Sequence, residues 1–178
     1  RTVEIRGIYA DVRTDMPTLV VDWGDGTSSP ASVRWNAGVG SYAARHTYRD
    51  DAPTGTPSDL YTIVVTATDD DGLTGSASAE LTVDNVAPQV SIQSDRSQPT
   101  TASDVYLIGY VTDPGVDDTF TYAWTATKDD GVTVTTLATG SSPSFTFNML
   151  GVGPTDRVTV TLAVSDDDTG ATTQAAAI

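Results

Sequence analysis

The chain has 178 residues, with 9 Lys+Arg against 24 Asp+Glu, a formal charge of −15, one His and no Cys. No apolar run reaches the 18 or more residues of a membrane-spanning helix, the missing Cys excludes a disulfide framework and a thiolate metal site, and a surface this acidic is a poor match for nucleic acid phosphates. Of the acids, 22 are Asp and only Glu4 and Glu80 are Glu; Asp favours turns where Glu favours helices, so the composition predicts an all-β chain with acidic turns.

The predicted elements fall into two matched sets. In the first, residues 3–11 form a strand block, residues 19–23 follow, and Asp25-Gly26 supplies a tight turn. A Gly- and Ser-containing stretch with two aromatics, Trp35 and Tyr42, precedes His46-Thr47-Tyr48. Residues 60–68 then alternate: Tyr61, Ile63, Val65 and Ala67 share one face, and Thr62, Val64, Thr66 and Thr68 the other. Asp69-Asp70-Asp71-Gly72 ends that strand. The join is Val83-Asp84-Asn85-Val86-Ala87-Pro88, where Pro88 lacks an amide donor and biases Ala87 towards an extended backbone. In the second set residues 87–92 open as a first strand. Residues 105–113 then match 3–11, residues 120–124 match 19–23, and residues 157–169 match 60–72, closing on Asp166-Asp167-Asp168. Three matched blocks in the same order make a tandem repeat. Residues 1–86 carry 6 bases and 13 acids (−7), and residues 87–178 carry 3 and 11 (−8), so neither half is a basic arm for the other.

Three motifs of the first set resemble a known family. Trp23-Gly24-Asp25-Gly26 is similar to the Trp-Gly-Asp-Gly block of the polycystic-kidney-disease (PKD) domain, and His46-Thr47-Tyr48 to its His-x-Tyr. Tyr61 through Gly72 is similar to its closing strand and Asp-rich turn. The second set departs from the pattern: Trp124-Thr125-Ala126-Thr127 replaces the Gly-Asp-Gly turn, and Phe145-Thr146-Phe147 stands where His-x-Tyr would. The resemblance implies an immunoglobulin-like sandwich of a kind common in secreted and cell-surface proteins. The expected architecture is therefore all-β, two tandem immunoglobulin-like (PKD-type) β-sandwiches, 1–86 and 87–178, joined by a short linker. Residues 1–86 show no counterpart of the strand that opens 87–178, so the first sandwich is expected to lack its first strand, as in a piece cut from a longer protein.

The candidate metal ligands are the carboxylates of these turns. Adjacent carboxylates repel, and calcium, which prefers clustered oxygen ligands, reverses the sign. Asp84 and Asn85 at the join, with Asp113 of the second half and Asp69 or Asp71 of the first, form the expected calcium set; the alternative for each is a plain Asx turn. Counted from Asp69, Glu80 falls at the twelfth position of an EF-hand template, but Gly72 stands at the fourth rather than the sixth and the flanks are strands, which rejects that motif. Trp35 and Tyr42 are the candidate ligand-binding aromatics, by stacking on sugar or inserting into a protein partner, with edge-strand packing as the alternative. Trp23 and Trp124 are expected in the two cores.

Catalysis is not expected. His46 is the sole imidazole, and no nucleophile elbow, His-based zinc motif or phosphate loop is present. The expected function is a monomeric, non-catalytic extracellular spacer or adhesion module of a larger secreted or surface protein, stiffened by calcium and flanked by other domains. The alternative is an accessory module of a secreted hydrolase that binds polysaccharide or protein.

Overall fold

A computed structural model describes residues 1–10, 16–36, 39–52, 55–95 and 103–178. Asp11 and the Ala37-Gly38 step of the expected aromatic stretch lie outside the described residues. Every regular element described is a strand, β1 to β14 in chain order, and no helix is long and apolar enough to cross a membrane. The chain divides into two compact units, Arg1–Pro53 with Ser58–Asp84, and Thr54–Pro57 with Asn85–Ile178.

The first unit holds β1 (Thr2–Tyr9), β2 (Thr18–Asp22), β3 (Ser28–Pro30), β4 (Ser32–Asn36), β5 (Val39–Thr47), β6 (Ser58–Thr68) and β7 (Thr74–Asp84). They form two antiparallel sheets, β1-β5-β4 and β3-β2-β6-β7. The alternation expected on residues 60–68 is what packs them: Tyr61, Ile63 and Val65 are buried with Leu19, Val21 and Trp23, while Thr62 faces solvent. Trp23 is fully buried, donates its indole N–H to Ser29 Oγ at 2.9 Å, and stacks on His46 with ring centroids 5.0 Å apart. His46 in turn meets Asp25 Oδ2 through Nε2 at 2.6 Å, and Tyr48 donates its hydroxyl to the Trp23 carbonyl at 2.6 Å. Burial alone would raise the Asp25 carboxyl, but hydrogen bonds from Thr27 and His46 hold it below the usual carboxylate range. The motif residues therefore clasp β2 to the end of β5. Gly24 is required there: it has φ +80, and a Cβ would stand 2.7 Å from the Thr62 carbonyl oxygen.

The second unit holds β8 (Gln89–Ser94), β9 (Asp104–Thr112), β10 (Thr121–Asp129), β11 (Val134–Gly140), β12 (Ser144–Asn148), β13 (Arg157–Ser165) and β14 (Ala171–Ala177). Its sheets are β12-β9-β8 and β11-β10-β13-β14. Val158, Val160, Leu162 and Val164 of β13 are all buried, around Trp124 and Val105. Phe145 and Phe147 occupy the places of His46 and Tyr48. Phe145 stacks on Trp124 at 5.4 Å, and the indole N–H goes to the Ser142 carbonyl at 2.8 Å. Dispersion replaces the polar clasp of the first unit.

Both units share one strand scheme. β2, β6 and β7 correspond to β10, β13 and β14, β3 to β11, and β1 and β5 to β9 and β12. One sheet thus carries the C′, C, F and G strands and the other B and E, the arrangement of an immunoglobulin-like sandwich. β8 adds the A strand beside β9, whereas β4 adds a D-type strand beside β5.

Burial pushes the Tyr48 phenol up to about 12, above the ~10 of an unfolded chain. A raised phenol stabilises the fold fully below pH ~10 and loses that contribution as pH climbs towards the folded value. Tyr48→Phe is expected to lose about 1–3 kcal/mol at neutral pH, because a carbonyl gives up its donor, and to show a shallower alkaline loss. Urea unfolding followed by circular dichroism from neutral pH to pH ~11.5 reads both effects.

Candidate functional site

The matched Asp runs build matched turns. In the first unit the Asp69 amide donates to the Leu73 carbonyl at 3.0 Å, and the Leu73 amide returns to Asp69 Oδ1 at 2.7 Å. In the second, the Asp166 amide donates to the Gly170 carbonyl at 3.0 Å, and the Gly170 amide returns to Asp166 Oδ1 at 2.6 Å. The left-handed position falls to Gly72 (φ 85) in one and to Thr169 (φ 74) in the other. Local sequence thus produces the same Asx-closed hairpin twice.

Burial separates them. Asp70 and Asp71 are exposed, whereas Asp166 is 7% and Asp168 only 1% exposed. Asp168 Oδ1 accepts the amides of Gly55 and of Thr56, the latter at 2.8 Å, both supplied by the short segment that belongs to the second unit. Its Oδ2 is buried and meets no hydrogen-bond donor among the described residues. A carboxylate oxygen taken out of water with no donor is costly unless a cation or a proton meets it.

Two further carboxylates converge there. Ligand oxygens of Asp118, Asp167 and Asp168 all lie within 4.8 Å of one another, about the span that oxygens around a single calcium occupy. Asp167 Oδ1 accepts the Thr119 amide at 2.9 Å, and that backbone bond holds its carboxyl below the usual range. Asp118 is aimed by its own loop. Its Oδ2 would lie 2.2 Å from a Cβ on residue 115, so Gly115 leaves the carboxylate free to take this position, and a larger residue there would turn it aside. The Gly115 amide is meanwhile held by Asp113 Oδ1 at 2.9 Å. Asp113 and Asp118 also bring ligand oxygens within 4.8 Å of each other.

Asn85 closes the turn from the other side. Its amide nitrogen donates to Asp166 Oδ2 at 3.1 Å and to the Asp168 carbonyl at 3.4 Å, its backbone N–H to the Pro57 carbonyl at 3.1 Å. Asn85 Oδ1 is buried with no donor among the described residues.

Of the sequence-predicted ligands, Asn85 and Asp113 lie in the second unit with this cluster. Asp69, Asp71 and Asp84 do not form a group of their own. Thr68 pairs with Thr74 at one end of the β6–β7 ladder and Ser58 with Asp84 at the other, so Asp69 and Asp71 stand some ~30 Å from Asp84 along the strand. Asp118 was not among the predicted ligands, and Asp167 and Asp168 belong to a candidate turn but not to the expected calcium set. Asp167 and Asp168 were visible as a charge run, but Asp118 carries no signal beyond the Asp117-Asp118 pair.

The predicted aromatics sit on the interior parity of the β1-β5-β4 sheet. Tyr42 pairs with Gly7 and Val33, and Trp35 with Gly40. Tyr42 packs against the core cluster, its ring filling the space over Gly7. Trp35 is half-buried and tilts against Tyr9 with centroids 6.0 Å apart. Both are used, at least in part, as packing against neighbours.

No protein-family model matches the chain, and no curated protein does. Among solved structures it is similar to the fibronectin(III)-like modules of Clostridium thermocellum CbhA, at 16% identity and a TM-score of 0.35, over 98% of this chain and 84% of that one.

The two Asp turns are separable by mutation. Asp168→Ala strips the acceptor from the Gly55 and Thr56 amides and is expected to cost about 2–3 kcal/mol in metal-free buffer. Asp71→Ala, at the matched but exposed position, is expected to stay within about 0.5 kcal/mol. Urea midpoints of the two variants against the parent chain give the comparison.

Proposed function

We propose that the chain is a pair of PKD-like sandwiches acting as a non-catalytic spacer or adhesion module within a longer secreted or surface-anchored protein. In this reading the second sandwich holds calcium. The observation that carries it is the buried Asp168 carboxylate, whose donor-less oxygen converges with Asp118 and Asp167. The donor set is all oxygen, which suits a hard cation and not zinc or copper. Asp118, Asp167 and Asp168 would hold the ion, with Asp113 beside them, and the bound charge would cancel their mutual repulsion. Calcium is abundant outside cells, so such a site suits an extracellular location. The reading as a non-catalytic module is supported by the lone imidazole, which is stacked on Trp23 and held by Asp25 rather than set against a nucleophile among the described residues.

The competing reading is ligand binding through Trp35 and Tyr42. Retention on an insoluble polysaccharide that disappears in Trp35→Ala would favour that reading over the spacer.

Calcium is expected to raise the melting temperature. For a dissociation constant of ~0.1 mM, ~1 mM calcium adds about 1.4 kcal/mol, a shift of several degrees. Asp118→Asn is expected to abolish the shift and Asp70→Asn to leave it intact. An unchanged melting curve together with no heat of binding by calorimetry would remove calcium from the proposal.

A further inference from the structure

The outer face of the β1-β5-β4 sheet departs from the charge of the rest of the chain. Arg6, Arg34 and Arg45 account for three of the nine bases in a protein of net charge −15. They line a single depression of about 570 Å³ with Glu4 as its one acid. The register explains its shape. On the outward parity the central strand β5 carries the small residues Ser41 and Ala43 and then, on the next rung, Arg45. Ala43 pairs with Arg6 on one side and Ser32 on the other, and Ser41 with Ile8 and Arg34. A short floor of small side chains is therefore flanked by Arg6 on β1 and Arg34 on β4 and closed at one end by Arg45 on β5 itself. Strands β1 and β4 lie about 9.6 Å apart, one on each side of β5, so a single extended chain laid over β5 would meet side chains from both.

The face already shows which chemistry it accepts. Arg6 Nη2 donates to Glu4 Oε2 at 2.9 Å, and Arg45 Nε lies 3.3 Å from Glu4 Oε1. Hydrogen bonds from Arg6 and Arg45 hold the Glu4 carboxyl below its usual range. One internal carboxylate is thus shared by two guanidinium groups whose side chains remain 72% and 71% exposed. Arg34 has no salt-bridge partner among the described residues.

The spacing of the arginines narrows the partner. Arg45 stands on the rung of Glu4, Arg6 on that of Ala43, and Arg34 on that of Ser41. These are three successive outward rungs, each about 7 Å from the next, and an extended peptide presents same-side side chains at that same interval. Tyr9, Trp35 and Tyr42 stand on the inward parity with Ile5 and Ala44, and only Tyr42 also reaches the lining of the depression, where its ring already packs over Gly7, so charge rather than ring stacking dominates this face. We propose that this groove docks an extended acidic segment of a partner protein, with Asp or Glu at alternate positions pairing with Arg34, Arg6 and Arg45. The guanidinium forks supply bidentate carboxylate contacts, and the hydroxyls of Ser32 and Ser41 line the floor.

The test is fluorescence anisotropy of a labelled eight-residue peptide alternating Asp and Thr, titrated with the full chain at 150 mM NaCl without divalent metal. At that ionic strength remote charge is screened beyond about 8 Å, so the reading reports the groove and not the net charge. Saturable binding is expected, weakened at least tenfold in Arg34→Glu and in Arg34→Gln. It is expected to tighten several-fold in Glu4→Gln, which frees Arg6 and Arg45. Both positions are outward-facing, and unchanged melting curves of the three variants will separate loss of binding from loss of fold. No saturable binding, or equal binding by the parent and both Arg34 variants, would overturn the proposal. So would tighter binding of an oligouronate of equal charge, which would assign the groove to an acidic polysaccharide.

Discussion

A strand in a two-layer sandwich can bury only every second side chain, and in this protein that alternation decides where charge is allowed to stand. β13 places Val158, Val160, Leu162 and Val164 inside, leaving no interior position on that strand for a carboxylate. β6 does the same with Tyr61, Ile63 and Val65. The abundant Asp is consequently pushed to strand ends, where an Asx side chain closes its own hairpin, or onto outward rungs. The acidity of the chain is largely a consequence of how its hairpins are closed.

Within that frame the two units solve one packing problem with different chemistry. Each needs a residue to span the sheets beside its buried Trp. The first unit uses His46 and Tyr48, which bring hydrogen bonds to Asp25 and to the Trp23 carbonyl. The second uses Phe145 and Phe147, which bring only stacking. The second unit has neither the imidazole of the clasp nor a Gly-Asp-Gly turn, so both partners of the His46–Asp25 contact are absent from it together. The two differences between the units are in this sense coupled.

Much of the fold was legible. The alternating runs, the Asx turns and the two central Trp residues all landed where their local chemistry put them, since each depends on contacts within a few residues or on a strict period of two. The candidate site was legible only in part. Asp69-Asp70-Asp71 and Asp166-Asp167-Asp168 read alike and fold alike, yet one lies in solvent and the other has an almost fully buried member. What separates them is the 55–57 segment and the 113–119 loop, both far away in sequence. The expectation that Asp69 or Asp71 would join Asp84 overlooked the length of the hairpin between them. Trp35 and Tyr42 stood out as aromatics among small residues, but the parity of their rungs turns them inward.

The sequence by itself determined the strand periodicity, the turn closures and the immunoglobulin-like class, all properties of neighbouring residues and of the pleat. Only the tertiary structure decided which Asp is desolvated, which carboxylates face one another and that three arginines share one outer face. Those outcomes depend on pairing register and on loops that meet across 48 to 112 residues, and electrostatic energy is governed by distance and burial in space rather than by position along the chain.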